Sequence, residues 1–405
     1  MARRHLVPCA LLAALVLPSA ASAAVVAPDL SVSSVAATGG AVAYLDDAGG
    51  IWATRVRTDG TTGSPLPVAS GQRLVRDLQV VVTDRGETVV VWDTMTSSTS
   101  GLVRYAVAAK GIGFSGARTL ASVGVSPSAT PQAAALRGGT VAVLFRDVRA
   151  GTSHGVLRYA RRAPGGTFGS ARSLGVDGVQ PQVEAAPGGG ALLAWGRGAV
   201  GQRSLEVATA KKGATLPGAA SSVAGDVSSL TLAAASDGTA WVTWTRRDAT
   251  TSGFARRTRA ANVSAVGPVQ GLGNVAYGVP HVAYGPSAQP LVAWNAKGPG
   301  AQPNVTLASA QATGAALGSA RPFDAGGFAQ TSPLPAWAGT TSSVLFTRQV
   351  PGTPTGLRNE VVAADPATGA LVVLGQSATI ATPAVAGALV AWPQAGGGVS
   401  VSLRP

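Results

Sequence analysis

The sequence predicts an all-β propeller of about eight four-stranded blades, on three observations. An apolar strand ending in an aromatic recurs at a near-constant period. Gly-rich turns punctuate the chain between copies, and the long stretches between them lack helical periodicity. The recurring strand reads AVAY (41–44), VVVW (89–92), AVLF (142–145), LLAW (192–195), WVTW (241–244), LVAW (291–294), SVLF (343–346) and LVAW (389–392). Its terminal aromatics are Tyr44, Trp92, Phe145, Trp195, Trp244, Trp294, Phe346 and Trp392, spaced by 48, 53, 50, 49, 50, 52 and 46 residues.

Each unit fills in around that strand. A first strand precedes it, as in Pro181 to Ala186, Ser229 to Ala235, Pro280 to Tyr284 and Pro383 to Ala386, joined by turns such as Gly138-Gly139 or Asp237-Gly238. After the aromatic come a polar loop and a third strand, LVRYAVA (102–108), VLRYARR (156–162), LEVATA (205–210) or VTLASA (305–310). A further Gly turn leads to a weaker fourth strand, as in ARTLA (117–121) and ARSLG (171–175). Four short strands with hairpin turns at this period is the pattern of a propeller blade. A middle strand reading Leu-Val-Ala-Trp is apolar on both faces and cannot stand alone; like sheets stacked around an axis cover both.

The ends carry two further expectations. Residues 1–23 read as an export signal, with Arg3 and Arg4 ahead of the apolar run Leu6 to Leu17 and small residues at Ala21-Ser22-Ala23, so cleavage is expected after Ala23. Residues 24–405 then form a single propeller domain, soluble, monomeric and extracellular. Its last unit, from Ala381 to Arg404, supplies only three strands, and AVVAP (24–28) is a spare one. Joining them completes the last blade and leaves no unpaired edge at the seam. That count gives eight blades, or seven if one terminal unit is degenerate.

Composition excludes several chemistries. Cys9, the single cysteine, lies in the leader, which rules out thiol catalysis and cysteine-based zinc or haem sites in the mature chain. His154 and His281 fall in different units, and Asp46-Asp47 before Gly49-Gly50 lacks the alternation of a calcium loop and reads as a turn. No cofactor and no metal are expected. The mature chain carries 29 basic and 18 acidic residues, a balance of +11 that suits an anionic partner and is equally an outcome of arginine-rich composition.

The G…LVAW strand and its period resemble the secreted β-propeller repeat proteins of high-GC Gram-positive bacteria, many uncharacterised and loosely similar to the sialidase-type and WD40-like repeat groups. The resemblance spans the mature chain and implies the fold without an activity. The Asp-box of sialidases is matched only by Ser236-Asp237-Gly238-Thr239-Ala240-Trp241, one residue short and between the first and second strands, where a hairpin turn is the simpler reading. Tyr105 and Tyr159 occupy equivalent third-strand positions, which points to packing. The glutamates Glu87, Glu184, Glu206 and Glu360 form no local pair and are expected as solvated edge residues.

The loops after the aromatics carry the candidate site. They hold Arg146, Arg149, Arg197, Arg203, Arg246, Arg247, Lys297 and Arg348, offset by Asp93, Asp147 and Asp248. In a propeller these loops gather on one face. The ligand-binding residues expected there are Arg146, Arg197, Arg246, Arg247, Lys297 and Arg348, meeting around a funnel and holding an anionic polymer by charge-assisted hydrogen bonds. The plain alternative is that exposed loops of an arginine-rich chain simply contain arginine. Nucleic acid is disfavoured, because the aromatics are committed to strand cores and are not free to stack on bases. The expected function is a secreted, non-enzymatic propeller that binds an extracellular glycan, cell-wall polymer or protein. Two alternatives stay open: a carbohydrate-active hydrolase or lyase whose site no motif marks, and a structural or adhesive surface module.

Overall fold

The computed structural model describes residues 23–26, 32–72, 74–124, 129–148, 155–199, 201–235, 238–246, 252–257, 266–273, 275–296, 304–309, 317, 321–323, 328–329, 333–352, 356–378, 382–395 and 397–403. The leader through Ser22, and with it Cys9, lies outside them, as do Arg149, Arg247, Asp248 and Lys297. Among the described residues there is no helix, and hence none long and apolar enough to cross a membrane.

All described strands pair antiparallel in sheets that follow one another along the chain. The first sheet runs Val32–Thr38, Ala41–Asp46, Ile51–Arg55, Leu66–Ala69, and the second Val75–Val82, Thr88–Met95, Ser100–Ala108, Arg118–Gly124. The third contains Gln132–Leu136, Thr140–Val148 and Gly155–Arg162, and the fourth contains Gly190–Arg197, Ser204–Ala210 and Ser221–Ala224. They share one long strand, Arg172–Ala186. The sequence predicts two separate strands there, from 171 to 175 and from 181 to 186. The chain instead passes directly from one sheet to the next through a register break between Val179 and Gln182, with Gln180 held at φ +50°.

The fifth sheet is Val227–Ala234, Ala240–Arg246, Ser252–Arg257, Val266–Gly273, and the sixth Val275–Tyr284, Pro290–Ala296, Asn304–Ser309, Arg321–Phe323. In the seventh, Phe328–Ala329 and Leu334–Ala338 both pair with Thr341–Pro351, followed by Leu357–Ala364 and Leu371–Ser377. The eighth joins both ends of the chain. Ala384–Ala386, Leu389–Pro393 and Val399–Leu403 are completed by Ala24–Val26, with Val25 opposite Ser400. The turns between first and second strands are of the predicted kind: Gly238, at φ +90°, donates its N–H to the Ala235 carbonyl at 3.1 Å. A side chain with a Cβ is strained there.

The core lies between sheets. Each strand-terminal aromatic packs against the sheet before it: Trp92 among Ala43, Ile51 and Val68, Phe145 among Val89, Val91 and Val103, and Trp195 among Ala142, Leu144 and Leu157. Trp244 meets Leu192, Ala194 and Val207, while Phe346 meets Leu291 and Ala293, and Trp392 meets Leu345 and Val361. Tyr44 continues the series by packing on Leu389, Ala391, Val399 and Val401, from the last sheet. The strand that precedes the aromatic strand in each sheet likewise contacts its counterpart in the next, and Val32–Thr38 contacts Ala384–Ala386.

Candidate functional site

The ends of the second strands place charged groups where the loops and inter-sheet connections meet. Asp93, one residue past Trp92, is 2% exposed, and its two oxygens accept the backbone N–H groups of Asp77 (2.9 Å) and Ala129 (3.1 Å). That ties the second sheet to the connection entering the third. Arg146, one residue past Phe145, is also buried and donates its backbone N–H to the Ala129 carbonyl at 2.8 Å. Burial pushes its guanidinium below the usual arginine range; Asp77 opposes that shift, Arg203 reinforces it, and Asp93 opposes it. Four charged groups from three successive sheets thus meet at this end of the molecule.

The other expected site residues separate. Arg197 is exposed, and Arg246 is half-exposed beside Asp226 at 3.9 Å. Arg348 is held within its own sheet, donating to Glu360 Oε2 from Nε (3.0 Å) and Nη2 (2.8 Å), while Arg358 takes Glu360 Oε1 at 2.8 Å. Arg247 and Lys297 lie outside the described residues. Among the described residues no group of three or more His, Cys, Asp or Glu is placed to hold a metal ion. Asp46 closes its own turn, accepting from Gly50 N (2.7 Å) and Trp52 Nε1 (2.8 Å).

The glutamates correct an expectation. Three of the four are not solvated edge residues. Glu206 and Glu360 are 6% and 4% exposed, and Glu87 accepts two hydrogen bonds from Arg162, 75 residues away. Partners that distant in sequence leave no local mark, whereas burial of the strand that carries them is visible as alternation.

A second feature emerges only from strand register. On the strands preceding the aromatic strand in five consecutive sheets, the position opposite the residue before the aromatic is polar. The pairs are Gln79 with Val91, Gln132 with Leu144, Gln182 with Ala194, Thr231 with Thr243, and His281 with Ala293. In the other three sheets it is Ala36, Leu334 and Ala384. All five polar side chains are partly exposed, and Thr231 Oγ1 donates to the Pro280 carbonyl at 2.8 Å. The signal was present in the sequence as Pro131-Gln132, Pro181-Gln182 and Pro280-His281, each at the start of a first strand.

Two titratable groups lie in this arc. Glu184, two residues beyond Gln182 and on the same strand face, has its pKa raised to about 7 by burial against the opposing Ala185 N–H, and burial pushes His281 down to about 4. The signs differ. A carboxyl with a folded pKa above its ordinary 4.5 contributes stability below pH 4.5 that is lost as pH rises through 7. Neutral His281 contributes stability above its ordinary 6.5 that is lost as pH falls through 4. Glu184→Gln is therefore expected to remove the loss between pH 4.5 and 7 and to stabilise the chain at pH 8. The gain should be ~1–2 kcal/mol after solvent screening. Melting curves against pH check this, and parallel profiles for the two proteins would contradict it.

No protein-family model and no curated protein matches the chain. Among solved structures it is similar to a protein of unknown function from Dyadobacter fermentans, at 12% identity and a TM-score of 0.44 over 73% of this chain and 96% of that one. It is also similar to the Hadza microbial sialidase Hz136, at 11% identity and 0.45 over 75% and 71%. A third is Penicillium chrysogenum α-L-arabinanase complexed with arabinobiose, at 14% identity and 0.39 over 68% and 92%. At these values the likeness assigns no residue a role.

Proposed function

We propose that the chain is an exported, closed eight-bladed propeller that binds an anionic extracellular glycan or cell-wall polymer at its loop end, as a monomer and without catalysis. Pairing of Ala24–Val26 with Val399–Leu403, and packing of Tyr44 on the last sheet, support the ring. The observation that carries the binding reading is the polar arc. Gln79, Gln132 and Gln182 hold no side-chain hydrogen bond among the described residues, and each amide has donors and an acceptor for a hydroxylated ligand. Arg197, exposed at the loop end of the same sheets, and the partly exposed Arg203 supply the attraction for negative charge. Of the expected ligand residues Arg146, Arg197, Arg246, Arg247, Lys297 and Arg348, Arg197 and Arg246 are the exposed cations suited to a test.

Changing Arg197, Arg203 and Arg246 together to Ala is expected to cut retention on immobilised polygalacturonate ~100-fold and to flatten its salt dependence. Unchanged retention would overturn the reading. A second reading, a carbohydrate-active hydrolase or lyase, draws on Glu184, whose pKa of about 7 suits a general acid at neutral pH. Product release from a polysaccharide array that is lost in Glu184→Gln would favour it over binding.

A further inference from the structure

At the opposite end of the molecule, a cleft of about 760 Å³ opens between the second and third sheets, within the size range of small-molecule sites. Arg162 forms its floor with a side chain 2% exposed, donating from Nη1 to Glu87 Oε2 (2.9 Å) and from Nη2 to Oε1 (2.8 Å). Glu87 also accepts the Gly165 N–H at 3.3 Å, and its Arg162 hydrogen bond holds its carboxyl below the usual range. The pair is planar, bidentate and fixed before any ligand arrives. Three donors leave the two carboxylate oxygens with acceptor capacity to spare.

The walls are apolar. Tyr105 and Phe114 line the cleft, and Tyr105 is locked by an edge contact with Phe168, centroids 4.7 Å apart. Two rim side chains are exposed. Ile112, at the tip of a turn, is 66% exposed, and Arg118 is exposed with no side-chain partner among the described residues. A lone exposed apolar residue is ordinary on a surface. This one adjoins Phe114, beside a cation with no partner among the described residues.

We propose that this cleft is a second binding site, for a short oligosaccharide bearing one carboxylate per reading unit, a uronate. Among the lining residues Glu87 and Arg162 cancel, so Arg118 is the cation left for an anionic group. Ile112 and the partly exposed Phe114 accept the C–H face of a sugar ring, over a floor backed by the buried Tyr105, and Glu87 accepts a ring hydroxyl. The site shares no residue with the loop end, so it stands or falls separately.

The test uses digalacturonate and its neutral counterpart, digalactose, titrated into the Arg197/Arg203/Arg246→Ala protein, in which the loop end no longer contributes. Digalacturonate is expected to bind, with chemical-shift changes confined to the second and third sheets. Arg118→Gln should weaken it ~10-fold or more and leave digalactose unaffected, while Ile112→Ser weakens both ~3-fold or more. Both substitutions are on exposed side chains and keep the fold. Absence of digalacturonate binding, or binding indifferent to Arg118→Gln, would overturn the proposal.

Discussion

Trp294→Ala is expected to destabilise the protein by ~3–5 kcal/mol, against less than ~0.5 kcal/mol for Leu357→Ala on the surface. Trp294 is 1% exposed and packs with Trp241, Val292 and Leu317. Removing it empties a space between two sheets that neither can refill, because both are held by their own strand ladders. The packing character of the site makes a sharper comparison available. Trp294 Nε1 is buried without a hydrogen-bond partner among the described residues, whereas Trp392 Nε1 donates to the Gln376 carbonyl at 3.1 Å. Phenylalanine at 294 should therefore cost less than phenylalanine at 392, where it orphans a carbonyl, by ~1 kcal/mol. Urea denaturation of the four variants measures this. Equal losses for Trp294→Ala and Leu357→Ala would show that the aromatic series is not core.

Removing residues 24–28 from the mature chain is expected to cost ~3 kcal/mol or more, since Val26 alone contributes ~1.5–3 kcal/mol by burial and its strand covers an otherwise open edge. Val26 is 3% exposed and belongs to the cluster that joins the last sheet to the first. The uncovered edge of Val399–Leu403 should also pair between molecules, so the shortened protein is expected to self-associate in sedimentation while the full mature chain does not. A truncated protein that melts at the same temperature and stays monomeric would contradict the role assigned to this strand.

What was legible in the sequence was whatever repeats. The aromatic at the end of each second strand, the glycines of the turns and the spare strand at 24–28 were all readable, because burial on both faces leaves a period in the residues themselves. Contacts between sheets were not. Glu87 read as a solvated edge residue, yet Arg162, 75 residues away, holds it in a bidentate pair. Arg146 and Arg348 read as loop cations, but one is buried with Asp77 and Asp93 nearby and the other is taken by Glu360. Gln79, Gln132 and Gln182 went unremarked because their equivalence is one of register, which only the ladder against the second strand reveals. Residues that pack alike were found by composition; residues that face a shared space required the pairing.

The most direct check on the central claim is a cysteine pair placed where the two chain ends meet. Val25 and Ser400 lie directly opposite each other, a separation of ~4.5–5.5 Å between Cα atoms that a disulfide spans without backbone movement. Val25→Cys with Ser400→Cys, in a chain that begins at Ala24 and so holds no other thiol, should oxidise in air to one intramolecular bridge, with no free thiol by titration and a raised melting temperature. Two persistently reduced thiols, or bridging only between molecules, would mean that the ends do not share a sheet and that the ring does not close.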